Sequence, residues 1–157
     1  MNDANESPLK TSRYTPSLNA EERRLLAQSE IEASETAWGA AEVLVTQRLH
    51  RDALSRAYFA LFHAARGLLF AEGYDARGPD AVIEVLGLRL AATGEMPPEA
   101  PAVLARGQRY RELCDFGVGW VVSPERVLAE LEVYEEHRTG LLAMLAARGV
   151  KGASGGA

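Results

Sequence analysis

Two stretches of this chain carry side chains able to grip phosphate or move a proton. The first is "SRAYFALFHAAR", residues 55–66, with Arg56, His63 and Arg66. Histidine titrates near neutral pH, and arginine presents a planar fork of donors that matches phosphate. In a helix, seven residues advance about 700°, roughly 20° short of two turns, so Arg56 and His63 share a stripe about 10.5 Å apart along the axis. Arg66 continues that stripe, together with Phe59, Ala60, Gly67 and Phe70. Such a face either packs inside a bundle, with the histidine hydrogen-bonded there, or meets a partner or a phosphate backbone.

The second stretch is "RGQRYRELCDF", residues 106–116, where Arg106, Arg109 and Arg111 stand within six positions. Arg111 is four residues before Asp115, the spacing of a helical ion pair. One reading is a solvated face with an ordinary pair, worth roughly tenths of a kcal/mol. The other is that Arg111 and Asp115 front a cleft, the carboxylate fixing the guanidinium for phosphate contact.

Other chemistries lack their residues. With one cysteine, Cys114, and three histidines there is no Cys/His metal cluster. The Glu-x-x-His pair of di-iron bundles is missing, because Gln47, Ala60 and Tyr134 stand three before His50, His63 and His137. No phosphate-binding glycine loop occurs, and the Asp-Phe-Gly of "CDFGVG" stands without the other kinase motifs. Neither a metal nor a cofactor is expected.

The elements that must position these residues are helices. Asn19 and Glu22 form a capping-box start for a first helix to about Gln47, with a small-residue stripe of Leu26, Ala33, Ala37, Ala40 and Leu44. A second helix covers about His50 to Glu72, with Gly73 ending it; Tyr58, Leu61, Phe62, Ala65, Leu68 and Leu69 make it the central one. A third runs from Pro79 to about Thr93, on Val82, Ile83, Leu86 and Leu90. "EMPPEAP" breaks the chain before a fourth helix from about Glu99 to Asp115. Ser123 and Pro124 start a fifth, which Gly149 closes. The expectation is an all-α fold, an antiparallel up-and-down bundle of about five helices over residues 19–149. Residues 1–18 are expected to form a flexible arm and residues 150–157 a flexible tail.

At 157 residues the chain is one domain in size. A lone thiol and the polar "MNDANESPLK" start predict a reducing cytoplasm and no secretion signal. No apolar run approaches the roughly 18 residues of a membrane span. The net charge of −5 disfavours a generic basic nucleic-acid binder. Of 17 Lys and Arg residues, however, only Lys10 and Lys151 are lysines, so a local arginine cluster is compatible with that charge.

"ALSRAYFALFHAARGLLFAEG" resembles the second-helix signature of small bacterial and archaeal HEPN-domain proteins. "TGEMPPE" resembles their loop between the third and fourth helices, and "RYRELCDFG" their Arg-x-x-x-Asp-Tyr segment. Order and spacing agree across residues 20–147. The resemblance implies a dimerising helical bundle, often the toxin-like half of a pair with a small nucleotidyltransferase. It also implies metal-independent RNA cleavage by an arginine followed, after four to six residues, by a histidine late in the fold. Here Arg111 is followed by Asp115 and Phe116, and no histidine comes before His137. Phe116 replaces the usual tyrosine and cannot accept an adenylyl group there. A histidine common before the third helix is also replaced, near Pro79 and Asp80.

Two functions are therefore expected. One is an RNA-interacting protein, a weak ribonuclease or toxin component, with Arg111 and Asp115 as the candidate catalytic pair. Arg106, Arg109, Arg56, His63 and Arg66 are its candidate RNA- or nucleotide-binding residues. The alternative is a non-catalytic module that binds a nucleotide or a protein partner. A purely structural helical dimer is the third reading.

Overall fold

The computed structural model describes residues 14–152. Among them are five α-helices: α1 (Ala20–Thr46), α2 (His50–Ala71), α3 (Pro79–Leu86), α4 (Ala100–Phe116) and α5 (Pro124–Ala147). The fold is all-α, as the periodicity predicts. Helix starts follow local chemistry. Asn19 Oδ1 accepts from the Glu22 amide at 2.9 Å, and Glu22 returns a bond to the Asn19 amide at 3.0 Å, the reciprocal capping box. Ser123 Oγ accepts from the Arg126 amide, with Pro124 in the first turn of α5. Gly73 and Gly149, both at positive φ, end α2 and α5.

Helix α2 is the hub, packing against α1, α3, α4 and α5. Tyr58, Leu61, Phe62, Ala65, Leu68 and Leu69 are all buried, as expected for a central helix. A fully buried side chain of the leucine or phenylalanine class contributes about 1.5–3 kcal/mol, so this face anchors the fold. Consecutive helices do not share equal seams. Helix α5 packs mainly on α2, and its contact with α4 is narrow.

That narrow seam depends on a glycine. At Gly107 of α4, a Cβ would lie 2.8 Å from the Tyr58 ring and 3.1 Å from the Tyr134 hydroxyl. The missing side chain lets α4 approach the two buried tyrosines of α2 and α5.

Two details depart from the periodicity. The apolar run after Pro79 stays α-helical only to Leu86, and Gly87–Ala91 forms a π-helical turn with the Ala92 amide reaching the Gly87 carbonyl. Pro101 packs 3.6 Å from where a Gly87 Cβ would stand, so the turn lies against the start of α4. The buried face of α1 is also rotated from the expected stripe. It consists of Ala27, Glu30, Ile31, Ser34, Ala37 and Ala41, and of the expected positions only Ala37 is buried.

Of the arm expected over residues 1–18, residues 1–13 lie outside the described residues. Leu18 is buried, and the Ser17 and Leu18 amides donate to the Gly73 carbonyl. At the other end the Val150 amide donates to the Leu145 carbonyl, and residues 153–157 lie outside the described residues. No helix among the described residues is long and apolar enough to cross a membrane.

Candidate functional site

The stripe Arg56–His63–Arg66 of α2 divides into two environments. Its C-terminal part meets the buried Glu30 of α1. His63 Nδ1 lies 2.7 Å from Glu30 Oε2, and Arg66 Nη2 donates to Glu30 Oε1 at 2.8 Å. Arg66 Nη1 donates to the Arg77 carbonyl at 2.8 Å, and its guanidinium lies over Phe62 at 4.9 Å. Burial pushes the Glu30 carboxyl up, but the hydrogen bonds and charges of His63 and Arg66 outweigh it and leave it below its ordinary value of 4.5. Glu30 is thus a carboxylate, which only accepts hydrogen bonds. It therefore accepts from His63 Nδ1, which fixes the ring proton on that nitrogen. One turn away, Ser34 Oγ donates to the Ala60 carbonyl at 2.7 Å and accepts from Arg138 Nε of α5 at 2.9 Å.

The N-terminal part of the stripe is open. Arg56 is exposed, makes no ion pair among the described residues, and lies over the Phe59 ring at 4.9 Å. Arg111 comes from α4 to the same ring, at 5.5 Å. Arg111 Nη1 also donates to Asp115 Oδ2 at 3.2 Å, the helical pair expected from the spacing. Asp115 Oδ1 accepts from Ser55 Oγ of α2 at 3.3 Å. Arg51 holds this end of α4 from below. Its Nη2 donates to the Leu113 and Cys114 carbonyls at 3.0 and 2.8 Å, satisfying acceptors that the helix end leaves free. The same guanidinium lies 5.6 Å from the Trp120 ring.

The structure therefore brings Arg56, His63, Arg111 and Asp115 to one surface around Phe59, and turns Arg66 inward. It separates the three arginines of the second stretch. Arg106 pairs with Glu130 of α5 at 3.1 Å. Arg109 is exposed on the α3 side, where it lines a shallow cavity with Asp80, Glu84 and Glu112. Only Arg111 reaches α2. Burial raises the Cys114 thiol to about 11, with the nearby Arg51 opposing it, so it is no nucleophile at neutral pH. Among the described residues no group of three His, Cys, Asp or Glu side chains is placed to hold a metal.

Glu30, Ser34, Arg51 and Arg138 were not legible as site residues. Their signals were a polar pair, Glu30 and Ser34, at i, i+4 among the alanines of α1, and the charge of Arg138 within the apolar stripe of the last helix. Beyond Asp115 the chain leaves α4 with Phe116, Val118 and Val121 largely exposed, three apolar side chains at the edge of the site.

The family model for the HEPN domain matches residues 27–138. That span contains α2, α3 and α4 whole and every side chain of the site. A chain from Methanocaldococcus jannaschii named "putative toxin" is 30% identical over 108 residues, covering 69% of this chain and 78% of that one. A UPF0332 protein of Gloeobacter violaceus is 32% identical over 57% of this chain and 71% of its own length. A UPF0332 protein of Pyrococcus horikoshii is 36% identical over shorter shares, 43% and 47%. With the bundle, the hub helix and the family match in agreement, this chain belongs to the HEPN domain family.

Proposed function

We propose that this chain is an RNA-interacting HEPN protein of the toxin kind, working as a homodimer paired with a small nucleotidyltransferase. One observation carries the RNA reading. Arg56 and Arg111, from two different helices, lie over the single ring of Phe59 on an open surface. A phosphate backbone is the ligand such a pair suits, because each guanidinium offers several donors and full charge. Arg111 contacts phosphate, and Asp115, itself held by Ser55, sets its direction. Arg106 and Arg109 face elsewhere and contribute only long-range attraction. The toxin name of the Methanocaldococcus relative supports the same reading.

RNA cleavage at this surface is weak and metal-independent. It lacks the histidine that the family motif places after the arginine. His63, oriented by Glu30, is the group beside Phe59 able to take a proton. The test is expression of wild type and Arg111→Ala in cells, with cleavage mapped on extracted RNA. Growth arrest with cleavage in wild type, lost in the variant, supports the reading. Equal growth and intact RNA in both remove the ribonuclease part. Oligoribonucleotide binding that weakens as salt rises then decides whether RNA contact survives without cleavage.

A second reading, a non-catalytic partner-binding module, is favoured by the exposed Phe116, Val118 and Val121 beside Asp115. Co-purification with the product of the adjacent gene, abolished by Val118→Asp with Val121→Asp, supports it. A chain that co-purifies with nothing and binds RNA counts against it.

A further inference from the structure

Beside Arg56, between α1 and α2, lies an open groove of about 440 Å³. Its α1 side is Ala33, Thr36, Ala37 and Ala40, and its α2 side is Arg56, Phe59 and His63. Three methyl side chains at helical spacing leave a shallow, flat, apolar floor. Phe59 adds an aromatic wall, which Arg111 reaches from its α4 side. The rim is polar and specific: a threonine hydroxyl, an arginine that makes no ion pair among the described residues, and a histidine whose Nδ1 is committed to Glu30. The space falls within the range of small-ligand sites, apolar with a few directed polar groups.

We propose that this groove seats one unstacked base of single-stranded RNA, with the adjoining phosphate held by Arg56 and Arg111. The assignment rests on the RNA reading above and deepens it to a substrate class. A base is flat, apolar on its faces and polar at its edge, which matches the floor, the wall and the rim in turn. A duplex keeps its bases stacked and offers only backbone to such a groove, so single strands are preferred. The other ring nitrogen of His63 and the Thr36 hydroxyl are the groups that meet the base edge.

The experiment uses the full chain and three labelled probes in fluorescence anisotropy at low salt: hexauridylate, an abasic ribose-phosphate hexamer, and a duplex of equal length. Wild type is expected to bind hexauridylate more tightly than the abasic strand by about 5- to 150-fold, the worth of one stacked base, and more tightly than the duplex. Ala33→Leu and Ala40→Leu each fill the floor, and neither alters an arginine or the Phe59 ring that Arg56 and Arg111 lie over. Each is expected to shrink the gap between hexauridylate and the abasic strand while leaving the salt-dependent binding of both, with circular dichroism confirming the helical fold. Equal binding of hexauridylate and abasic strand by wild type overturns the base seat and leaves the RNA reading standing. So does a gap that persists in both variants. Conversion of a dimer to a monomer by Ala40→Leu in light scattering overturns it as well, because the groove is then a seam between copies. If none of the three probes binds, the RNA reading fails together with the seat.

Discussion

The two ends of one helical stripe sit in different surroundings. Arg66 and Arg56 lie on the same side of α2, yet Arg66 is ion-paired to Glu30 and Arg56 makes no ion pair among the described residues. Arg66 meets Glu30, the Arg77 carbonyl and two aromatic rings, and its pair with Glu30 is largely shielded from water. Arg56 meets a ring face and solvent. A charge in the first setting is held by, and holds, the packing of α1 on α2. A charge in the second setting stays available to a ligand. Helical spacing puts both arginines on one face, and only the partner helix decides which of them can act.

Breaking the ion-paired end is expected to have the largest effect. Glu30→Ala leaves the Arg66 guanidinium without its carboxylate in a mostly enclosed site, and loss of about 3 kcal/mol is expected, the low end for a broken buried pair. Urea unfolding followed by circular dichroism measures it. A loss below about 1 kcal/mol would mean that Arg66 finds water as easily as Arg56 does. Next comes Gly107→Ala, on the seam between α4 and the two tyrosines. The added methyl meets the Tyr58 ring at 2.8 Å, so overpacking of about 1–3 kcal/mol is expected. The same unfolding curves report it, and Gly140→Ala, where a Cβ meets nothing within 4 Å, is the control.

How much of this was readable without the fold follows from the same contrast. Caps and breakers are local, so Asn19 with Glu22, Ser123 with Pro124, and the prolines before α4 located helix ends to within a residue or two. The central helix was legible because bulky apolar residues recur on it at three- and four-residue steps. The buried face of α1 was not, since alanines populate several of its stripes and size alone does not choose among them. Taking Leu26 and Leu44 as markers rotated that face and hid Glu30. Arg51 was hidden for another reason. Its partners are backbone carbonyls more than 60 residues away, at an end of α4 that no pattern near residue 51 announces. The spread of Arg106, Arg109 and Arg111 follows from helix geometry once three neighbours, α5, α3 and α2, surround α4.

The acid limb of stability sharpens the comparison further. The Glu30 carboxyl lies below its ordinary value of 4.5 in the fold. A depressed folded value means the contribution is fully present above the unfolded value and is lost as pH falls through the folded one. Stability should therefore decline below about pH 4.5 in wild type. Glu30→Gln, lower in stability at pH 7, should decline less steeply there. Thermal melts between pH 3 and 7 measure the difference. Parallel curves for the two proteins would show that the proton bound on unfolding goes to other carboxylates.

The smallest effect on stability is expected at the open end, and there the readout has to change. Arg56→Ala removes a guanidinium that pairs with no carboxylate among the described residues, so unfolding should shift by less than about 0.5 kcal/mol. Arg111→Ala removes one partly exposed helical pair and should cost about 0.2–1 kcal/mol. Against single-stranded RNA the order reverses. Each lost phosphate contact is expected to lower the salt dependence of binding by about 0.7 in log–log slope, and the double variant by about twice that. Glu30→Gln should leave that slope alone, because it changes no arginine on the open surface. If Arg56→Ala and Arg111→Ala left the slope unchanged while Arg109→Ala lowered it, the RNA-facing surface would lie between α3 and α4. The contrast along α2 would then describe how the bundle is held together, and no longer where it acts.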